Sequence, residues 1–328
     1  MFKQFKKQLA ILIILVLLVM FFAFAAPGFF TFNNFISLIR QISILGVVST
    51  GMSLVLVSGG LDLSVGSQIS LIGIICAALI VNGAVNPFLA CIIGLVCIML
   101  IGFINSTIII TANIWPMIAT IAMMQVLQGI AYIISGGLPI YGLPEYMKWI
   151  GQGYVWVIPV PVIIMAVIML IGSFLLNKTY FGRYLYAVGS NAEAARLSGV
   201  NITIIRTAVY IICSLLTGIG GLIMMGRVAS GQPKAGANFE MDVLTACVVG
   251  GVGLNGGVGT MSGVVIGVFI MGVLSNGLGV MGVGEYYQLV CKGVVLILAV
   301  GFDGIQQKHA NKKPHRVSPG NSQLKQEA

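Results

Sequence analysis

Gly189-Ser190-Asn191-Ala192-Glu193-Ala194-Ala195-Arg196-Leu197-Ser198-Gly199-Val200-Asn201 is a short helical signal set inside a polar stretch, 177–201, between long apolar runs. Ser190 and Glu193 have capping-box spacing, and Gly199 is placed to end the helix in a left-handed conformation. The spacing predicts a helix over 192–198, about 10 Å long at 1.5 Å per residue. A helix that short is marginal alone in water, so it needs a surface to dock on. Ala192, Ala194 and Ala195 keep its own surface slim, open to close approach by another protein. The segment reads as a connector that receives force from a soluble engine on the inner side of a membrane.

The surroundings of that island set the class. Of 328 residues, 58% are hydrophobic and 8% charged, whereas a soluble domain carries about a quarter charged. A bilayer core of about 30 Å takes roughly 20 apolar residues per helix. Ten membrane segments are predicted, at 9–26, 35–58, 64–81, 88–111, 115–135, 157–176, 202–226, 241–254, 260–283 and 285–303. The eighth is short and glycine-rich, as a broken or re-entrant element would be. With the amino terminus inside, the sixth segment delivers 177–201 to the cytoplasm. The expected organisation is a cytoplasmic start (1–8), one membrane domain (9–303) and a disordered basic cytoplasmic tail (304–328).

Charge agrees with that topology. The net charge of +9 resembles a nucleic-acid signature, but its distribution argues otherwise. Lys3, Lys6 and Lys7 precede the first run, Lys178, Arg183, Arg196 and Arg206 surround the connector, and Lys308, Lys312, Lys313, Arg316 and Lys325 lie in the tail. All twelve then face the cytoplasm, the positive-inside pattern. Nucleic acid is excluded as a partner.

Leu9 to Ala26 is longer than the about 7–15 residues of a signal-peptide core, so an uncleaved first span is expected. Cys76, Cys91, Cys97, Cys213, Cys247 and Cys291 lie scattered in apolar runs and read as small buried thiols. The two histidines, His309 and His315, sit in the tail, which excludes a histidine-ligated metal site within the membrane.

Two glycine-rich interruptions stand out: Ser58-Gly59-Gly60-Leu61-Asp62-Leu63-Ser64-Val65-Gly66-Ser67, and Gly250-Gly251-Val252-Gly253-Leu254-Asn255-Gly256-Gly257-Val258-Gly259. Interrupted helices free backbone groups, which is tolerated only beside protein or a water-filled cavity. Paired interruptions in two halves of a chain point to a transport pathway. Asp62 either caps the helix beginning near Leu63 or lines and gates a path. The intramembrane amides Gln41, Asn105, Gln125, Gln128, Asn276 and Gln288 either hydrogen-bond between helices or offer hydroxyl-rich cargo neutral donors and acceptors. Lys292 and Glu285, near one helix end, pair or snorkel. The aromatic loop 136–156 sits at headgroup level or meets an external partner.

There is no Gly-x-x-x-x-Gly-Lys-Ser/Thr phosphate loop, no Gly-x-Ser-x-Gly elbow and no His-Glu-x-x-His pair. Catalysis by this polypeptide is therefore not expected.

Several stretches, taken in order, carry a resemblance. They are Phe29-Phe30-Thr31-Phe32-Asn33-Asn34, Gly60-Leu61-Asp62-Leu63-Ser64-Val65-Gly66, Gly182-Arg183-Tyr184-Leu185-Tyr186-Ala187-Val188-Gly189-Ser190-Asn191, and Ala194-Ala195-Arg196-Leu197-Ser198-Gly199-Val200. Gly250-Gly251, Gly256-Gly257-Val258-Gly259 and Tyr286-Tyr287-Gln288 follow. From Pro27 to Asp303 the chain resembles the membrane subunit of bacterial ATP-binding cassette importers for monosaccharides, the ribose/galactose/xylose permease group.

The resemblance implies an all-α polytopic inner-membrane protein of about ten transmembrane helices in an inverted-repeat importer architecture, with both termini cytoplasmic. It implies a second permease subunit, identical or closely related, two cytoplasmic ATPase subunits and a periplasmic or lipid-anchored sugar-binding protein. ATP and magnesium belong to the ATPase, and no cofactor or metal is expected on this chain. Glu193, Ala194, Ala195 and Gly199 match the family's coupling helix, so Ser190, Asn191, Glu193, Ala194, Ala195, Arg196 and Gly199 form the expected ATPase-coupling set. Asp62, Gln41, Asn105, Gln125, Asn255, Asn276 and Gln288 form the expected path and gating set. Val252 and Val258 depart from the hydroxyl and basic residues common at those places in the family, which leaves the sugar open. An ion-coupled secondary sugar transporter is the alternative.

Overall fold

The computed structural model describes residues 2–311, and among them thirteen helices follow one another with a single small hairpin. They are α1 (Phe2–Ala25), α2 (Phe32–Val57), α3 (Val65–Val81), α4 (Pro87–Thr111), α5 (Pro116–Ser135) and α6 (Glu145–Gln152). After the hairpin of β1 (Tyr154–Val155) and β2 (Ile158–Pro159) come α7 (Val160–Lys178), α8 (Tyr180–Ser190), α9 (Ala192–Leu197), α10 (Ile202–Val228), α11 (Phe239–Val249), α12 (Met261–Val280) and α13 (Glu285–Asn311).

Helix starts follow the local chemistry. The side chains of Thr31, Asn86, Asn201 and Thr260 each accept from a backbone N–H of the first turn of α2, α4, α10 and α12. Pro87 and Pro116 occupy first helical positions, where their missing N–H costs nothing. Gly136 ends α5 with φ +63°.

α2 is the axis. Every residue from Ile42 to Val57 is buried, so this helix is covered all round, as a central helix must be. α7, α10, α11 and α12 pack against it, while α3 lies between α4, α5 and α10. Small residues permit close crossings: a methyl at Gly51 would stand 2.8 Å from the Cα of Cys213 on α10. At the periphery α1 touches α12, with the Phe22 ring over Gly277.

Among the described residues, seven helices (α1 from Gln8, α2, α4, α5, α7, α10 and α12) are long and apolar enough to cross a membrane. Their outward faces carry exposed Leu17, Phe88, Ile118, Ile133 and Leu170, the exterior that lipid rather than water covers. This is an all-α polytopic membrane protein. Each of the ten expected segments coincides with a helix, but α3 has 17 residues and α11 only 11, and the crossings shown by length and composition number seven. α11 occupies the eighth segment and stops at Val249, before the glycines.

Three differences stand out. α6 and the hairpin order the aromatic loop 136–156, with Trp156 at its tip 99% exposed and at φ +62°. α8 occupies much of the expected connector loop. α13 continues past 303 to Asn311, so the expected tail begins as helix, and 312–328 lie outside the described residues. The six cysteines are free, with Cys76, Cys213 and Cys247 buried.

Candidate functional site

The connector is two helices set at an angle. Thr179 starts α8 by accepting from the Gly182 N–H at 3.2 Å, and Ser190 is absorbed into the last turn of α8. Asn191, extended at φ −159° and ψ 99°, turns the chain and caps α9, its Oδ1 accepting from Ala194 N at 3.0 Å. The capping box expected from Ser190 is therefore replaced by an Asn191 cap. Glu193 is also diverted: its carboxylate takes both Arg196 Nη2 (2.6 Å) and Nε (3.1 Å). This exposed pair sits with its acid in the first turn and its base in the last, the favourable sense for the helix dipole.

α9 ends at Leu197 rather than Ser198, and Gly199 takes φ +84° as expected. Val200 N bonds to Ala195 O at 3.1 Å to close the end. Ala195 is buried against the bundle, while Glu193, Ala194, Arg196 and Leu197 face outward. Leu197 is 79% exposed, a large apolar side chain on an otherwise small and polar face. Sequence reasoning missed it. The signal was available: when Ala195 faces inward, a residue two positions on points elsewhere.

The first chain break joins α2 to α3. Gly59 adopts φ +80°, and Gly60 N returns to Val55 O at 3.0 Å. Asp62 is fully buried. Its Oδ1 accepts from Ser64 N (3.0 Å) and Ser64 Oγ (2.5 Å), and its Oδ2 accepts from Gln68 Nε2 (3.4 Å). Ser64 Oγ accepts in turn from Gln68 Nε2 (2.8 Å) and Asn105 Nδ2 (3.0 Å). Tyr210 of α10 donates its hydroxyl to Leu61 O at 3.1 Å, and Thr120 of α5 accepts from Leu63 N at 3.2 Å. Three helices, α4, α5 and α10, thus stitch the break. Ser64 occupies the cap position of α3, but its side chain caps no backbone N–H of the first turn, and Asp62 reaches the Ser64 N–H from two residues upstream.

The second break joins α11 to α12. Gly251, Gly256 and Gly257 take φ +83°, +83° and +70°, and Gly253 N bonds to Val258 O at 2.9 Å. The two breaks and the connector meet. Gly257 N donates to Val57 O at 2.8 Å, at the end of α2. A methyl on Gly256 would lie 2.7 Å from Gly59 Cα and 2.9 Å from Gly189 O. One on Gly189 would collide with the Val57 carbonyl and stand 2.5 Å from Gly257 N. Tyr186 of α8 donates its hydroxyl to Gly259 O at 2.8 Å. Neither Tyr186 nor Tyr210 was legible as a site residue, because their partners are backbone carbonyls far away in sequence.

The remaining polar candidates scatter. Asn105 belongs to the Asp62 cluster, but Asn276 pairs with Asn34, and Gln288 donates to Val283 O at 2.8 Å. Gln128 donates to Pro233 O at 2.6 Å. Gln125 is exposed on α5, and Gln41 is half-buried on α2. Asn255 is exposed in the second break. Lys292 pairs with Asp242 of α11 at 2.7 Å rather than with Glu285. Of the seven path candidates, Asp62 and Asn105 share one hydrogen-bonded cluster, while Asn276 and Gln288 are bonded elsewhere.

Residues 34–300 match the family described as branched-chain amino acid transport system / permease component. The chain belongs to this permease family. It is 39% identical over 286 residues to the ribose import permease protein of Escherichia coli (strain K12), covering 86% of this chain and 89% of the relative. Identity to the ribose import permease protein of Bacillus subtilis (strain 168) is 41% over 279 residues, 84% and 86% of the two chains. The L-arabinose transport system permease protein of E. coli (strain K12) is 36% identical over 308 residues, 92% of each. No solved structure matches. The permease is thus placed among the membrane subunits of ATP-binding cassette sugar importers, and its apolar helices are those of a multi-pass membrane protein.

Proposed function

We propose that this permease carries a monosaccharide across the inner membrane, powered by separate cytoplasmic ATPases and supplied by a sugar-binding protein outside. Two permease subunits, identical or closely related, enclose the path. Connector and termini face the cytoplasm. The observation that carries this reading is the connector. α9 leaves a face of Glu193, Ala194, Arg196 and Leu197 exposed for a partner, with Ala195 turned into the bundle rather than onto that face, while the end of α8 rests on both chain breaks.

Asn191 sets the angle of α9, Ala195 seats it, and Gly199 frees its exit. Closure of the ATPases on nucleotide pushes α9, and the bundle alternates between inward- and outward-open states. Relatives named for ribose and L-arabinose support a pentose as cargo. Among the path candidates, Asp62 and Asn105 have a structural part, holding the first break in shape. Asn276, bonded reciprocally to Asn34, holds α2 against α12, and Gln41, Gln125, Asn255 and Gln288 stand as candidates for the surface between the two subunits.

The test is uptake of radiolabelled D-ribose and L-arabinose by vesicles holding the full complex, with and without internal ATP, and with an uncoupler. Concentrative uptake that requires ATP and survives the uncoupler supports the reading. Uptake without ATP that stops with the uncoupler would make this an ion-coupled carrier.

A further inference from the structure

We infer that the contact of Gly59, Gly189 and Gly256 is a force-transmitting joint, through which one displacement of the connector moves both chain breaks together. The inference rests on the reading of α9 as the element that an ATPase pushes.

Three stretches of backbone meet here with no side chain between them. Packed side chains can yield by changing rotamer, but peptide groups in direct contact cannot. The joint is therefore stiff in compression. It is also tied against separation, by Gly257 N–H on Val57 O and by the Tyr186 hydroxyl on Gly259 O, each 2.8 Å long. A push and a pull on α8 are both delivered.

What lies beyond the joint explains why two breaks are needed. The first break leads through the buried Asp62–Ser64–Gln68–Asn105 cluster into α3. The second hangs between α11 and α12, whose backbones pack closely, Gly263 lying against the carbonyl of Gly250. A single movement of the connector reaches the ends of α2, α3, α11 and α12.

Gly189 separates this joint from ordinary turn geometry. It lies within α8 with helical backbone, where alanine is the better helix former. Its lack of a side chain serves the approach of Val57 and Gly257, not a backbone conformation.

The experiment uses the full-length permease with its ATPase and binding protein in proteoliposomes, and compares Gly189→Ala, Gly256→Ala, Tyr186→Phe and Gly253→Ala. Gly253 is the control: it lies in the same break, but a methyl there meets Val258 Cβ at an ordinary 3.5 Å. The readouts are membrane accumulation, ATPase retained on purification, ATP hydrolysis, and uptake of D-ribose, L-arabinose, D-galactose and D-xylose.

Gly189→Ala and Gly256→Ala should lower uptake at least about tenfold while the ATPase stays bound and active, and Tyr186→Phe about threefold. Gly253→Ala should stay within about twofold of the unmodified complex. Normal uptake by an accumulated Gly189→Ala protein overturns the joint. If that variant fails to accumulate, Tyr186→Phe, which removes one oxygen, decides in its place, and normal uptake there overturns it equally. An unmodified permease that retains no ATPase would instead overturn the reading of α9 on which the joint rests.

Discussion

Asn34 and Asn276 exchange a reciprocal pair of amide hydrogen bonds, the Nδ2 of each donating to the Oδ1 of the other at 2.9 Å. The exchange bolts the start of α2 to the second half of α12, 242 residues away. An amide with both ends engaged in this way has little left to offer a sugar. Asn276 is thus a latch in the subunit as it stands, and polarity within an apolar run is not by itself a mark of the pathway.

Replacing Asn276 by alanine should cost about 1 kcal/mol of stability, the usual size of an interhelical hydrogen bond in a membrane bundle. The cost stays modest because Asn34 Nδ2 keeps the Phe29 carbonyl at 2.8 Å. A double-mutant cycle with Asn34→Ala, followed by thermal unfolding in detergent, reads the coupling directly. Additive single effects would mean that the two amides do not act as a pair.

Asp62 offers a sharper contrast between two substitutions. Asp62→Ala strands the buried Ser64 N–H and the second Gln68 contact, and each unsatisfied buried group costs about 1–3 kcal/mol. Asp62→Asn keeps an oxygen for Ser64. It gives up only the long 3.4 Å contact from Gln68 Nε2, which keeps its 2.8 Å bond to Ser64 Oγ. Thermal unfolding should place Asp62→Ala well below Asp62→Asn, and Asp62→Asn close to the native chain. Equal stability of the two variants would show that the cluster does not hold the break.

These contrasts mark what could be read in the chain beforehand. Helices such as α4, α10 and α12 are legible because runs of apolar residues of bilayer length admit no other structure without water. The cap of α9 is misread from sequence because Ser190 and Asn191 are both competent caps. The choice falls to Asn191 once α8, unexpected from a stretch containing Gly182 and Gly189, has absorbed Ser190. Which glycines serve turns and which serve contacts is settled by packing: Gly189 looks like a loop residue and is a helical one pressed on two other backbones. The meeting of residues near 59, 189 and 256 is long-range, and no local pattern announces it.

The Asp242–Lys292 pair, 50 residues apart, ties α11 to α13, with its side chains about one-fifth exposed at 21% and 19%. Breaking it from one side should cost more than removing it whole. Lys292→Leu leaves Asp242 without its cation, a loss approaching about 3 kcal/mol for a poorly solvated pair. Asp242→Leu with Lys292→Leu removes both charges and should recover most of that loss. Melting temperatures of the two variants test the claim. A double variant no better than the single one would show that the pair adds attraction beyond what its burial takes away.

Leu197 tests the docking face separately from the fold. At 79% exposure its replacement touches almost nothing within this chain, so Leu197→Asp should leave stability within about 0.5 kcal/mol. An apolar anchor at the centre of a small interface behaves differently, because a charge placed there must be desolvated by the partner. Leu197→Asp should therefore accumulate normally in the membrane yet lose its ATPase on purification, and lose uptake with it. Leu197→Met, which keeps volume and apolarity, should preserve both. Retention of the ATPase by Leu197→Asp at native levels would move the docking surface off α9, to the exposed Tyr180 and Tyr184 of α8 or to Ile204 at the start of α10.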